Sequence, residues 1–264
     1  MDISESVILG IVQGLTEFLP ISSSAHLVLT EALLKIKLES IRFEVFLHLG
    51  TFFSVVIVFR RKIWELITAL KAVFKRGDSE SEQNLRFLGL LLVGTVPAVV
   101  LGLSFNAYVE KAFSSPAFAS SMLILTGMFL LSTRFSRVRE KELNFTDAVL
   151  VGLAQAFSLL PGISRAGFTI GTGLFRGIKG EKSAEFSFLL SLPAILGASI
   201  LKLKETLDEN PSFGEVFLYF IGGFVAFLFG YIAIRFLLGV LKKGKFQNFA
   251  YYCLGVGILS LIFL

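Results

Sequence analysis

Six stretches of the chain are apolar over a length that would cross a bilayer. The hydrocarbon core of a membrane needs about 20 apolar residues per helix, and each stretch is free of strong charge over most of its length. The pattern therefore predicts an all-α integral membrane protein with six transmembrane helices. The predicted spans are residues 43–59, 86–105, 116–133, 184–201, 214–239 and 247–264.

Two further apolar stretches, residues 7–34 and 145–176, carry polar residues and a helix breaker at their centres. A lipid-facing helix would not tolerate them, because irregular backbone at membrane depth survives only inside protein or beside a water-filled cavity. Both stretches are therefore predicted to be re-entrant helical hairpins, each made of two short half-helices joined by a polar turn.

The two hairpin stretches also resemble each other. Aligned without gaps, they pair Gly10 with Gly152, Gln13 with Gln155, Thr16 with Ser158, Ile21 with Ile163, and Ser22 with Ser164. This similarity indicates two repeats, 1–133 and 145–264, within a single membrane domain, 1–264. Each repeat holds one hairpin and three spans. Because three is odd, the halves would have inverted topology, as in many transporters.

The loop charges give an independent prediction of orientation, because cytoplasmic loops carry an excess of Lys and Arg. Loops 60–86, 134–144 and 242–245 are rich in both and are predicted to be cytoplasmic. Loops 106–115 and 202–213 are not, and are predicted to be external. Hairpin one then enters from outside and hairpin two from the cytoplasm, so that their polar tips can meet.

Composition excludes several classes of protein. Hydrophobic residues make up 54% and charged residues 17%, whereas globular chains carry about 25% charge. A soluble enzyme, a disordered protein and a nucleic-acid binder are excluded, and the net charge of +5 belongs to the cytoplasmic loops. The single cysteine, Cys253, excludes an internal disulfide and a cysteine metal site. The GxxxG spacing of Gly10 and Gly14 indicates close helix packing rather than a dimer seam, although a homodimer stays open.

Candidate chemistry lies at the two hairpin centres. Ionisable groups inside a membrane cost about 2.5–3.5 kcal/mol each and point to function. Gln13 and Glu17 are four residues apart and share one helix face, which Pro20 ends. Ser22 and Ser23 follow where a second half-helix begins, so hydroxyls and free amides can bind an anion there.

The second hairpin repeats this arrangement. Pro161-Gly162 breaks the helix, Ser164 caps the next one, and Arg165 adds a fixed cation. Two helix N-termini, an arginine, several hydroxyls, a carboxylate and His26 would then converge. This combination predicts a site for an oxyanion, most plausibly phosphate.

These residues closely resemble the undecaprenyl-diphosphate phosphatase family, also called the bacitracin-resistance family. The motifs are Gln13-x-x-x-Glu17, Phe18-Leu-Pro-Ile-Ser-Ser-Ser-Ala-His26 and Pro161-Gly-Ile-Ser-Arg-Ala-Gly-Phe-Thr169. The resemblance implies hydrolysis of a C55 polyprenyl diphosphate lipid to its monophosphate and inorganic phosphate, which recycles the lipid carrier of bacterial peptidoglycan synthesis. It also implies six spans with two re-entrant hairpins, location in the bacterial plasma (inner) membrane, and dependence on a divalent metal, Mg²⁺ or alternatively Ca²⁺.

Three positions depart from the family pattern. Gln13 stands where many members have Glu, which weakens a direct metal role for position 13. Ala166 stands where the motif usually has Ser, so one phosphate-binding hydroxyl is missing, and Ala25 replaces a common Gly.

The resemblance implies roles that the sequence leaves partly open. Glu17 is a metal ligand or a general base. Gln13 either orients Glu17 or a metal-bound water, or makes a hydrogen bond between helices. Either His26 is the nucleophile or an acid–base group, or Ser23 is the nucleophile with His26 as its base. Arg165 clamps the phosphate. Four hydroxyl residues are expected to bind phosphate or cap the helices: Ser22, Ser24, Ser164 and Thr169.

Outside the hairpins the expectations are weaker. His48, near Glu44, is predicted to make a structural hydrogen bond rather than to act in catalysis. Glu185 either supports Arg165 from behind or caps a span. The alternative function is a polyprenyl-phosphate flippase or another transporter. Because hairpin one opens outward, the site is predicted to be accessible from the external side.

Overall fold

The computed structural model describes residues 2–34, 41–72, 79–113, 115–137, 139, 141–205 and 212–264. Within these ranges the chain forms eleven α-helices and two 3-10 turns, Thr133–Phe135 and Phe246–Asn248. The helices are α1 Ile3–Phe18, α2 Ser23–Leu34, α3 Ile41–Val58, α4 Arg60–Ala72, α5 Ser79–Phe113, α6 Pro116–Ser132, α7 Phe145–Phe157, α8 Arg165–Phe175, α9 Gly180–Glu205, α10 Phe213–Lys242 and α11 Phe249–Phe263.

Five or six of the helices in the described ranges can cross a membrane by length and composition. Five do so alone: Ser79–Ser104, Pro116–Phe135, Gly180–Ile200, Phe213–Lys242 and Phe246–Phe263. The sixth candidate is α3, which passes together with α4 although the two are bent by 78°. The chain is therefore an all-helical, multi-pass membrane protein. The predicted external loop 202–213 falls largely on residues 206–211, which lie outside the described ranges.

The two predicted hairpins are pairs of short helices with breaks where the sequence placed them. The chain leaves helix between α1 and α2 around Pro20, and between α7 and α8 around Pro161-Gly162. Gly162 has a left-handed φ of +99°, and a Cβ there would lie 2.3 Å from the carbonyl oxygen of Ala119. Ser22 also has a positive φ, 68°, without being glycine. Such a conformation costs about 1–3 kcal/mol and tends to occur at functional sites.

Each short helix pair packs on a long helix from the other half of the sequence. Helix α1 lies on α10, and α7 lies on α5. A Cβ on Gly10 would come within 2.7 Å of the Gly222 carbonyl oxygen, and a Cβ on Gly14 within 2.6 Å of the Ala226 carbonyl oxygen. The GxxxG spacing thus marks close packing within the chain, as predicted. The same holds for Gly152, where a Cβ would lie 2.3 Å from the carbonyl oxygen of Gly94.

The largest apolar core lies between the helix pairs and helices α6, α10 and α11. Phe18 and Phe188 meet edge to face there, with ring centroids 5.5 Å apart. Large apolar side chains also cover the outer surface of the long helices, for example Phe220, Phe224 and Phe236 on α10. An apolar outer surface of this kind is what lipid, rather than water, would solvate.

Candidate active site

The tips of the two helix pairs lie side by side. The guanidinium of Arg165, the first residue of α8, pairs with the carboxylate of Glu17 in the last turn of α1. The hydroxyl of Ser24 accepts a hydrogen bond from the backbone N–H of Gly162, at 3.3 Å. The convergence of the two hairpin centres, on which the predicted oxyanion site depends, is therefore present in the structure.

Glu17 is the hub of this cluster. Arg165 donates to Oε1, while Oε2 accepts from the Ser23 hydroxyl at 2.6 Å and from Gln13 Nε2 at 3.0 Å. The Glu17 side chain is only 3% exposed. A buried carboxylate with three donors, one of them cationic, is stabilised as an ionised acceptor. The Ser23 hydroxyl therefore points its proton at a base.

One serine hydroxyl caps the N-terminus of the second helix in each pair. The Ser22 hydroxyl accepts from Ala25 N–H at 3.3 Å, and the Ser164 hydroxyl accepts from Gly167 N–H at 3.0 Å. Thr126 fixes the second tip, because its hydroxyl donates to the Gly162 carbonyl and accepts from Ser164 N–H. The N-termini of α2 and α8, each with a partial positive charge, therefore lie at the two neighbouring tips.

A cavity of about 270 Å³ opens at these tips. Its polar wall includes six residues that the sequence predicted for the site: Glu17, Ser22, Ser23, Ser24, Ser164 and Arg165. Its apolar wall comes mainly from α3, α5 and α9, for example Val45, Ala98 and Ile195. A charged head with an apolar tail would suit this lining.

His26 does not line this cavity. Its Nδ1 lies 2.8 Å from the Ser22 carbonyl oxygen, and its Nε2 lies 2.9 Å from the hydroxyl of Tyr252 on α11. Since a carbonyl oxygen only accepts, Nδ1 carries the proton. In the neutral ring, Nε2 then accepts from the Tyr252 hydroxyl. Both ring nitrogens therefore already have hydrogen-bond partners within the protein.

Two other predicted residues lie behind the wall. Gln13 donates a hydrogen bond to Glu17, which lines the cavity. The Thr169 hydroxyl donates to the Arg165 carbonyl oxygen at 2.7 Å and contacts the Ser187 hydroxyl. Thr169 thus supports Arg165. Glu185, for which support of Arg165 was one expectation, instead lines a separate cavity with Lys62 and Glu65.

The structure adds a polar chain to the site. The sequence predicted a structural hydrogen bond for His48 near Glu44 but did not place these residues at the site. Gln13 Nε2 lies 3.1 Å from His48 Nδ1, and His48 Nε2 lies 3.7 Å from the Glu44 carboxylate. Lys202 on α9 donates to that carboxylate at 2.7 Å. Glu44, His48 and Lys202 all line the cavity. The available signal was the spacing of Glu44 and His48, four residues apart in an apolar stretch.

Gln155 is a further wall residue that the sequence analysis did not assign to the site. It is only 2% exposed and lines the cavity, yet neither Nε2 nor Oε1 of its side chain has a hydrogen-bond partner in the part of the chain that the structure describes. A buried amide without partners costs about 1–3 kcal/mol. The signal in the sequence was its alignment with Gln13.

The donor set fits a divalent cation only in part. Within the described ranges, no group of three or more His, Cys, Asp or Glu side chains could hold a metal. Two oxygen ligands are nevertheless available, the Glu17 carboxylate and Gln13 Oε1. The two side chains are in contact through Gln13 Nε2, and Oε1 is buried with no partner among the described residues. Mg²⁺ commonly takes one or two protein oxygens and completes its shell with phosphate and water. The residues therefore fit an ion shared with a phosphorylated ligand.

The fold and the site together define a multi-pass helical membrane protein with a cavity between two broken helix pairs, lined by a carboxylate, an arginine and several serines. The sequence profile of the family described as Bacitracin resistance protein BacA matches residues 6–259, and the chain belongs to this family. The resemblance stated from the motifs is thereby confirmed.

Three relatives resemble the chain over nearly its whole length, and all three are called undecaprenyl-diphosphatase. The protein of Desulforapulum autotrophicum is 40% identical, and that of Carboxydothermus hydrogenoformans is also 40% identical. The protein of Halothermothrix orenii is 41% identical. Each alignment covers 99% of this chain and 98% of the relative.

Proposed function

We propose that this protein is an enzyme that hydrolyses undecaprenyl diphosphate to undecaprenyl phosphate and inorganic phosphate. The observation that carries the proposal is the position of Glu17, held between the Ser23 hydroxyl and the Arg165 guanidinium on the wall of one cavity. The activity named for its full-length relatives agrees with it. A flippase would have no need of a nucleophile, a base and a cation aimed at one anion.

Ser23 is the nucleophile in this proposal. As its Oγ bonds to the terminal phosphorus, its proton passes to Glu17, and the bond from phosphorus to the bridging oxygen breaks. Undecaprenyl phosphate leaves with that oxygen, and Arg165 with the two helix N-termini stabilises the transferring group. In the second step the oxygen of a water molecule bonds to phosphorus as the bond to Ser23 Oγ breaks, Glu17 returns its proton to Ser23 Oγ, and both water protons leave with inorganic phosphate.

His26 positions the turn rather than reacting. It holds the carbonyl of Ser22, whose left-handed backbone sets the direction of the following helix and hence of Ser23. The contact between His26 and Tyr252 anchors that turn to α11.

Mg²⁺, or Ca²⁺ in its place, would be held by the Glu17 carboxylate and the Gln13 amide oxygen, together with oxygens of the diphosphate. When bound, the ion would neutralise charge on the two phosphates. The protein side chains would orient the lipid head and exclude bulk water.

The proposed membrane arrangement has six spans, two re-entrant hairpins and inverted repeats 1–133 and 145–264. The reciprocal packing of α1 on α10 and α7 on α5 supports the repeats. The cavity walls come from the ends of α3, α5 and α9 that the loop charges predict to be external. We therefore place the site open to the outer face of the plasma (inner) membrane, in the service of peptidoglycan synthesis.

Phosphate release from undecaprenyl diphosphate by detergent-purified protein with Mg²⁺ tests the function. The variants Glu17→Ala and Arg165→Ala should each lose about 10³-fold or more of this activity. Arg235→Ala is the matched control, because Arg235 is an exposed arginine that contacts Tyr231 on its own helix. Turnover like that of the wild type in both site variants would contradict the proposal.

Trapping the phosphorylated intermediate tests the nucleophile. With substrate labelled in the terminal phosphate, acid-quenched wild-type protein should carry label on Ser23, and Ser23→Ala should carry none. Label on His26 would refute the assignment.

A further inference from the structure

Gln155 lines the cavity, and neither the donor nor the acceptor of its buried side-chain amide has a hydrogen-bond partner among the described residues. Its counterpart in the first repeat explains why. Gln13 donates to Glu17, four residues further on. At the matching place after Gln155 stands Leu159, which has no polar atom. The Gln155 side chain therefore keeps its hydrogen-bonding capacity for something that enters the cavity.

The donor and the acceptor of the Gln155 amide limit which ligand can satisfy both. Gln155 Nε2 can donate to a phosphate oxygen, but Oε1 needs a donor, and an ionised phosphate has none. Water supplies one. A ligand pair of one phosphate oxygen and one water molecule satisfies both atoms, and it holds the water against the phosphate.

The cavity has room for this arrangement. A water molecule occupies about 30 Å³, and the cavity holds about 270 Å³. Ser23 and Gln155 line it from different helix pairs, α2 and α7. In an in-line displacement, the water that attacks phosphoserine approaches from the side opposite Ser23 Oγ, which the departing lipid phosphate has left.

We propose that Gln155 orients the water that hydrolyses the phosphoserine intermediate. This inference rests on the proposed function and assigns a residue to its second step. The oxygen of the held water bonds to phosphorus as the bond to Ser23 Oγ breaks. The Gln155 amide itself neither gains nor loses a proton.

Replacing Gln155 by Met tests this role, because Met has a similar length and no amide. Gln83→Met is the matched control, since Gln83 is exposed and lines a different cavity. We expect the steady-state rate of Gln155→Met to fall about 100-fold, the usual scale for losing one positioned polar group. The first-turnover release of undecaprenyl phosphate should stay within about threefold of the wild type. Acid quenching should then find nearly one phosphoserine per protein, on Ser23.

The first turnover also reports on folding, because only folded protein can phosphorylate itself. Three results for Gln155→Met would overturn the water-orienting role. They are a slow steady state without accumulated phosphoserine, a first turnover slowed as much as the steady state, and an unchanged steady-state rate. None of these three results would contradict hydrolysis of the substrate by the wild-type protein. A wild-type protein that releases no phosphate would instead overturn the proposed function, and this role with it.

Discussion

Replacing His26 by Ala separates a positioning role from a chemical one. The change removes two hydrogen bonds, to the Ser22 carbonyl at 2.8 Å and to the Tyr252 hydroxyl at 2.9 Å. At about 1 kcal/mol net for each bond, the loss of stability is about 2 kcal/mol. For a chain of this size that corresponds to a fall in Tm of about 4–8 °C.

The same variant should keep its chemistry. Because Ser23, Glu17 and Arg165 remain, kcat should fall about tenfold, as expected for a misplaced group rather than a missing one, and phosphoserine should still form. Tyr252→Phe removes only one of the two bonds, so its Tm should fall by about half as much. Thermal unfolding followed by fluorescence, together with the labelling assay, measures both effects. An unchanged Tm with complete loss of phosphoenzyme in His26→Ala would refute the positioning role.

Three further predictions concern the tip, the metal and the surface that the loop charges predict to be cytoplasmic. Gly162→Ala should destabilise the protein by about 2–4 kcal/mol, measured by thermal unfolding, because its Cβ would meet the Ala119 carbonyl oxygen in a left-handed turn. Chelation of divalent cations should stop phosphate release and added Mg²⁺ should restore it, whereas full activity after chelation would contradict the metal proposal. The hydrogen bond and charge of Lys182 hold the pKa of the exposed Glu142 below its usual value. The stabilisation that the Glu142–Lys182 ion pair contributes is therefore present above the ordinary carboxyl pKa, and it is lost as the pH falls through the lowered pKa of Glu142. Glu142→Gln should cost at most about 0.5 kcal/mol at neutral pH and nothing in strong acid.

The breaks at Pro20 and Pro161-Gly162 could be predicted because a helix breaker within an apolar stretch admits few structures in lipid. The proximity of Glu17 and Arg165 could be predicted as well, because the loop charges orient the two hairpins so that their tips can meet. Neither argument used contacts between distant residues.

The orientation of His26 could not be predicted in this way. Helical spacing places it on the face of Ser22 and Ser23, but its ring is turned by the Ser22 carbonyl and by Tyr252, 226 residues further along the chain. His48 shows the converse, because Gln13 on α1 reaches it only after α1 and α3 pack together. Side-chain direction at such positions depends on tertiary packing, which periodicity does not contain.

The seating of α1 on α10 bears on how the chain is made. During synthesis Gly10 and Gly14 leave the ribosome about 200 residues before the backbone that covers them at Gly222 and Ala226. Helix α1 therefore lacks this docking surface until α10 has been made. A chain that stops after α9 would expose this small-residue face to lipid or to quality-control proteases.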